Sequence, residues 1–335
     1  MELRNNIIFG ALKKSGYTTV WLLRIILPIS LVVRFLDYFG ILAFMADFLD
    51  PVFVYMGLPG STAIVFITSI FLPLYAPLAI ITSMSISLRE LTILALMCQI
   101  SHNLPVESTI QAKTGTSFRA MTLLRISMSI IVGILLNLIL PENMGMPVFA
   151  QTTVTDIASL GDLFLVWLRS SLHITLLILV IVFLLNLLYN LLEKYKLIAV
   201  FSKGIEPLLR LFGLPVSTGF LWLIGYIVGL AYGGALMIDQ MKEGKVTRTD
   251  ASLLNYHLAV SHSVLEDNLL FVALGVSLWW ILGVRFVLAW AVVWIRRCIL
   301  RLKMEHVSFR AKDDKNQFLM AIFDQNKVRE NDETY

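Results

Sequence analysis

Twenty-one consecutive residues, Leu172 to Leu192, contain no Asp, Glu, Lys or Arg, and the fifteen from Ile126 to Leu140 are likewise uncharged. A helix needs about 20 apolar residues to cross roughly 30 Å of hydrocarbon. Runs of this kind therefore commit the chain to a bilayer before any motif is considered. Only 15% of the 335 residues are charged and 58% are hydrophobic, against about 25% charged in an ordinary soluble domain. Soluble enzymes and nucleic-acid binders are excluded, and the formal charge of +4 reports orientation in the membrane. The class is an all-α polytopic membrane protein.

Six full crossings are expected: Trp21–Phe39, Ser61–Met84, Met121–Leu140, Leu165–Leu192, Thr218–Ile238 and Leu270–Ile295. Met1 to Thr19 reads as an amphipathic lead-in to the first crossing. Leu42–Tyr55 is short and carries Asp47 and Asp50, as befits a broken or interfacial helix. Leu91–Ile100 and Ala251–Val260 are too short to cross and read as two re-entrant or broken hairpins. Basic stretches lie at the amino terminus, at Lys113–Arg125, at Lys194–Arg210 and after Ile295, whereas Ile126–Leu168 has no Lys or Arg. The positive-inside rule then expects both termini in the cytoplasm and Pro141–Gly161 outside; Lys242, Lys245 and Arg248 do not fit this scheme. The localisation expected is the inner membrane of a prokaryote, with the lipid bilayer as obligatory partner.

The chain also repeats itself. Gly57-Leu58-Pro59-Gly60-Ser61-Thr62 returns as Gly213-Leu214-Pro215-Val216-Ser217-Thr218, and Ser101-His102 through Glu107 returns as Ser261-His262 through Asp267. Val20-Trp21-Leu22 also matches Val166-Trp167-Leu168. Three crossings per half is an odd number, so the second copy is expected to be inverted, the plan common among secondary transporters. The expected organisation is a first repeat over 1–140, an external linker over 141–161, an inverted repeat over 162–299 and a polar cytoplasmic tail over 300–335.

Two groups of residues follow from the repeat. Gly57, Pro59, Ser61 and Thr62, with Gly213, Pro215, Ser217 and Thr218, are expected to break one helix and cap the next, Gly and Pro by backbone chemistry and the hydroxyls by accepting free amides. Alternatively, those helix amino ends face a bound solute. The sharper group is Ser101, His102, Asn103 and Glu107 with Ser261, His262, Glu266 and Asp267. Ionisable groups at membrane depth are costly and mark solute, ion or proton paths. The alternative is that they bond one another and the opened backbone. Tyr75 and Tyr232, near the helix breakers Pro73, Pro77, Gly229, Gly233 and Gly234, are candidates to stack on a solute. Gln99, Asn255 and His257 either join this region or bond between helices, and His173 reads as packing.

Two histidines with carboxylates also suit a divalent metal by ligand type, but no local metal signature fixes one. Cys98 and Cys298 imply neither a disulfide framework nor a metal site. The chain contains no Gly-x-x-x-x-Gly-Lys-Ser/Thr loop, so nucleotide drive would need another subunit. No arrangement for acyl transfer or hydrolysis is evident, so no enzyme activity, catalytic residue or cofactor is expected.

The duplicated Gly-Leu-Pro-x-Ser-Thr and Ser-His-x-x-x-x-(Glu/Asp) motifs resemble the nucleoside recognition, or Gate, domain family. That family includes the spore maturation proteins A and B and part of the membrane region of ferrous iron transport protein B, and is related to the gating region of concentrative nucleoside transporters. The resemblance covers about residues 18 to 297 as two Gate-like halves and implies fold and membrane role more than chemistry. The expectation is a secondary permease for a small polar solute, nucleoside-like or otherwise, coupled to an ion or proton gradient. The alternatives are a non-transporting component of an envelope or maturation assembly, in contact with further copies or other membrane subunits, and a divalent-metal transporter.

Overall fold

A computed structural model describes residues 2–148, 159–195 and 204–302. Most of the expected tail over 300–335, including the short apolar stretch Gln317–Phe323, and the middle of the expected linker lie outside the described residues.

All the regular structure among the described residues is helical. Helix α1, Glu2–Tyr38, takes in both the expected lead-in and the first expected crossing as one continuous element with Pro28 inside it. At 1.5 Å per residue its 37 residues extend about 55 Å. It lies against α8, Leu160–Lys194, and polar groups join the two: Asn186 Nδ2 donates to Ser15 Oγ at 3.1 Å and Trp167 Nε1 to Ser30 Oγ at 3.0 Å.

After α1 come α2 (Ile41–Phe53), a tight turn, α3 (Ala63–Phe71), α4 (Tyr75–Ile81), α5 (Leu88–Ser101), α6 (Leu104–Lys113) and α7 (Phe118–Ile139). After α8 come α9 (Glu206–Leu211), a tight turn, α10 (Gly219–Ile227), α11 (Leu230–Lys242), α12 (Arg248–Val260), α13 (Val264–Val272) and α14 (Leu278–Leu302). Each tight turn follows a glycine in the left-handed region, Gly57 at φ 67° and Gly213 at φ 71°.

Three expected crossings are interrupted. Ser61–Met84 breaks at Leu72-Pro73-Leu74, because proline drives the preceding residue into extended backbone and offers no N–H; Leu72 sits at φ −127°, ψ 158°. Thr218–Ile238 breaks at Gly229, whose φ of 101° suits a residue without Cβ. Leu270–Ile295 breaks between α13 and α14, where the chain turns through Gly275. The expected hydroxyl caps are not made either. Thr62 Oγ1 and Thr218 Oγ1 donate to the carbonyls of Pro59 and Pro215, both at 2.7 Å, and neither accepts from the following helix. The hydroxyls thus tighten the turns instead, while Asp50 Oδ1 takes the Gly60 N–H at 2.8 Å.

Among the described residues, two helices are long and apolar enough to cross a membrane, α7 and α14. A third crossing arises if the pair Asp47–Met56 and Gly60–Phe71, bent by 93°, counts as one. Leu123, Leu135 and Leu138 on α7 and Trp279, Val287 and Ile295 on α14 are exposed, a surface that suits lipid and would be a liability in water. Helix α5 is apolar all round because it is buried all round: every residue from Leu91 to Ser101 is covered. Its start is set by a reciprocal cap, Ser87 Oγ accepting the Glu90 N–H while the Glu90 carboxylate accepts the Ser87 N–H at 2.6 Å.

Candidate functional site

Helices α5 and α12 end in the same way. Asn103 at φ 47° and Ser263 at φ 45° are the described non-glycine residues with positive φ, a conformation that costs an L-residue of order 1 kcal/mol or more. Each is docked: Asn103 N–H donates to the Ser69 carbonyl at 2.8 Å, and Ser263 N–H to the Gly225 carbonyl at 2.9 Å. A Cβ on Gly229 would stand 2.8 Å from Ser263 Oγ, so the second break needs glycine opposite it.

A helix that ends in the interior leaves carbonyls without partners and the negative end of its dipole unanswered. Two arginines from the long helices answer both. Arg125 of α7 donates from Nε to the Ile100 carbonyl at 2.7 Å and from Nη2 to the His102 carbonyl at 2.8 Å, while its Nη1 lies 2.6 Å from Glu107 Oε2. Arg285 of α14 donates to the His262 carbonyl and to Asn268 Oδ1 at 3.0 Å, with Asp267 Oδ2 at 3.7 Å. Both guanidinium groups are fully buried. Sequence reasoning missed them, reading Arg125 as part of a cytoplasmic basic stretch and passing over Arg285. The available signal was their separation of 160 residues, the same as that of His102 and His262.

The two breaks meet. The imidazole rings of His102 and His262 lie with centroids 5.1 Å apart. His102 Nδ1 donates to the Gln99 carbonyl at 3.0 Å and His262 Nδ1 to the Leu258 carbonyl at 2.7 Å. Since a carbonyl only accepts, both Nδ1 atoms carry the proton. Their Nε2 atoms converge on one carboxylate: His102 Nε2 is 3.2 Å from Glu107 Oε1 and His262 Nε2 is 3.1 Å from Glu107 Oε2. Donor atoms of His102, Glu107 and His262 all lie within 4.8 Å of one another, so these three could hold a metal ion. Gln99 Nε2 ties the halves together, donating to the Asp267 carbonyl at 3.0 Å and to Asn268 Oδ1 at 3.3 Å. Asn255 Nδ2 does the same to the Thr114 carbonyl at 2.7 Å.

A cavity of about 170 Å³ opens beside this cluster, lined by His102, Asn103 and Glu107 from one break and Ser263, Glu266 and Asp267 from the other. A second cavity of about 480 Å³ lies toward α1 and α8, with Lys14, Asn186 and Tyr232 on its wall. Tyr75 and Glu266 line both, and Tyr75 OH donates to Glu266 Oε1 at 2.5 Å where the two cavities adjoin.

Two expected site residues point elsewhere. Ser101 Oγ donates back to the Met97 carbonyl at 2.8 Å, and Ser261 Oγ pairs with Tyr226 OH at 2.8 Å; neither lines either cavity. The first is the usual back-bonding of a helical serine. The second belongs to a separate buried group in which His257 Nε2 accepts from Trp222 Nε1 at 2.9 Å and meets Tyr226 OH at 2.7 Å, so His257 is an interhelical polar group. The side chain of His173 is outside what is described.

A family model described as Gate, nucleoside recognition, matches residues 19–133, a segment that contains Gly57, the first Ser-His motif, Glu107 and Arg125. The chain is 30% identical over 282 residues to the uncharacterized membrane protein YvoD of Bacillus subtilis (strain 168), across 83% of this chain and 90% of that protein. No solved structure matches significantly.

Proposed function

Because the chain belongs to the nucleoside-recognition (Gate) family of membrane proteins, we propose that it is a multi-pass permease for a small polar solute, coupled to an ion or proton gradient. The observation that carries this reading is the polar cavity of about 170 Å³ shared by the two interior helix breaks. Irregular backbone at membrane depth is tolerated where protein buries it or a cavity receives it, and paired broken helices are the usual frame of a midplane solute site.

The two halves are read as inverted Gate-like repeats with about six crossings. Support comes from the common order of elements, and from the shared separation of 160 residues for His102 and His262, for Asn103 and Ser263, and for Arg125 and Arg285. With Arg125 assigned to the interior, Lys113, Arg119 and the basic residues at the amino terminus and after α14 still favour cytoplasmic termini in a prokaryotic inner membrane. Size limits the solute. Sites for drug-sized ligands run about 300–1,000 Å³, so the 170 Å³ cavity suits an ion with its water or a very small solute. A nucleoside would need the 480 Å³ cavity as well, reached past the Tyr75–Glu266 contact.

A second reading is a non-transporting component of a larger assembly. It is favoured by an apolar groove of about 330 Å³ between α7 and α14, lined by residues such as Leu135, Trp279 and Val287. Uptake into proteoliposomes separates the two. Wild-type protein is expected to accumulate at least one of a panel of nucleosides, small organic ions and inorganic cations, and His102→Ala and His262→Ala are expected to abolish uptake while remaining folded in the membrane. Uptake undiminished in both variants would remove the breaks from the mechanism. A folded wild type that moves nothing, but is recovered with another membrane subunit, would transfer the case to the assembly reading.

A further inference from the structure

The convergence on Glu107 contains an unresolved contact between acceptors. Each histidine donates its Nδ1 proton to a backbone carbonyl, so a neutral ring keeps a lone pair at Nε2, and only an imidazolium carries a second N–H there. Those lone pairs face the two oxygens of one carboxylate, at 3.2 and 3.1 Å. With both rings neutral, two imidazole lone pairs and a carboxylate meet in a buried site, and beyond the Arg125 guanidinium at 2.6 Å the two nitrogens need a proton or a metal ion between them and the carboxylate. Among the described residues, His262 Nε2 and Glu107 Oε2 are buried and make no hydrogen bond of good geometry, although Arg125 Nη1 and the imidazole stand close to the carboxylate.

We infer that His102 Nε2, His262 Nε2 and Glu107 form a binding site for a divalent transition-metal ion of the zinc type, with an exchangeable position open to the 170 Å³ cavity. The donor set of two imidazoles and one carboxylate is one that such ions prefer and that magnesium and calcium do not. Around a tetrahedral ion with bonds of about 2.0–2.1 Å, neighbouring ligand atoms stand about 3.3 Å apart; here the nitrogen–oxygen separations of 3.2 and 3.1 Å run to different oxygens of Glu107, and one donor atom from each residue lies within 4.8 Å of the others, so the three draw together when the ion binds. The outer shell also fits. Metal-bound histidine nearly always donates its other N–H to a carbonyl or carboxylate, which fixes the tautomer and aims the ring, and Gln99 and Leu258 supply those carbonyls. Arg125 Nη1 stands 2.6 Å from Glu107 Oε2, the oxygen that also faces His262 Nε2, and as a fixed positive charge it weakens binding relative to an all-anionic site, which favours exchange. His102 and Glu107 both line the cavity, so the fourth ligand is water or a solute atom on that side. The inference stands on these distances and does not require that the chain transports anything.

The test uses the full-length protein in detergent, stripped of metal and titrated with Co(II) and Zn(II), with Mg(II) as comparison. The expected result is one Co(II) per chain with the intense visible absorption of a tetrahedral centre, displaced by Zn(II) and not by Mg(II). Glu107→Gln and His262→Gln should each weaken Co(II) binding at least tenfold. His257→Gln, a change at another buried histidine, should leave it intact. Each variant is checked for native thermal unfolding, and metal protection against unfolding in the wild type gives a second readout. No Co(II) binding by folded wild type, or equal binding in wild type and in folded Glu107→Gln and His262→Gln, would overturn the inference; protons would then be what bridges the cluster. Metal binding without uptake of any solute would leave this site standing and count against the proposed permease.

Discussion

Arg125 is the residue whose loss the structure prices most directly. It is fully buried, pairs with Glu107 at 2.6 Å and holds the last carbonyls of α5 at 2.7 and 2.8 Å. Arg125→Met keeps much of the side-chain volume but strands a buried carboxylate and two carbonyls at once. Removing one partner of a buried pair costs about 3–5 kcal/mol, chiefly because the remaining charge has nothing to answer it. Glu107→Gln likewise strands the guanidinium's charge but keeps an acceptor for it, so it should cost about 3 kcal/mol, the low end of that range. In the double variant no charge is stranded, so its total should fall about 1–3 kcal/mol short of the sum of the singles, within the range seen for residues in direct contact. Unfolding in mixed micelles, followed by tryptophan fluorescence on all four proteins of the cycle, gives the coupling. Additivity within about 0.5 kcal/mol, or an Arg125→Met protein as stable as wild type, would refute the claim that this pair and its carbonyls hold the first break.

Two further outcomes follow from single contacts. Tyr75→Phe removes the hydroxyl that bonds Glu266 between the two cavities; with Cys298→Ser as background and Cys98 buried, a cysteine introduced in place of Ser263 should react faster with a polar thiol reagent, and an unchanged rate would show that this contact does not limit passage. Gly57→Ala places a Cβ at φ 67° in collision with the Asn137 amide, whose oxygen accepts from Arg89, whereas Gly40 at φ 71° has open space around it. Gly57→Ala should therefore cost on the order of 2 kcal/mol and Gly40→Ala about 1 kcal/mol, and equal shifts in thermal midpoint would remove packing from the explanation.

The sequence made the class and the main landmarks legible because they are local. Uncharged runs speak of a bilayer whatever they pack against, and a motif recurring at a fixed distance exposes His102, His262 and the acids beside them without any knowledge of contacts. What could not be read depends on direction or on partners far along the chain. Ser101 stands beside His102, yet a helical serine turns its hydroxyl back onto its own backbone. Gln99 meets Asn268 from 169 residues away. The breaks at Leu72–Leu74 and Gly229 were signalled by Pro73 and by the glycine itself, but long apolar stretches on both sides make a continuous crossing the natural reading. Arg125 and Arg285 are a different case. A lone arginine at the edge of an apolar run is ordinarily a marker of orientation, and only its duplication in step with the histidines separates an interior clamp from a flank.

Among the differences between the two copies, one has a direct consequence at the centre. Five residues after its histidine the first half has Glu107 and the second has Asp267, one methylene shorter. Glu107 reaches both imidazoles and its arginine, whereas Asp267 Oδ2 stays 3.7 Å from Arg285. The centre where the halves meet is therefore built from both histidines but from the carboxylate of one half. Glu107→Asp tests this without changing charge: withdrawing the carboxylate by up to one carbon–carbon bond, about 1.5 Å, takes the imidazole nitrogens out of reach while leaving an anion near Arg125. Zn(II) affinity should then fall at least tenfold, equivalent to about 1.4 kcal/mol, with a smaller loss of stability than Arg125→Met shows. Adding Asp267→Glu should not restore binding, because the Asp267 carboxylate pairs with Arg285, at 3.7 Å, whereas the carboxylate within 3.2 Å of the imidazoles is that of Glu107. Isothermal titration of the single and double variants reads this directly. Wild-type affinity in Glu107→Asp would mean that reach does not matter and that the carboxylate acts only as a diffuse charge; recovery in the double variant would mean that the two halves are interchangeable at the centre.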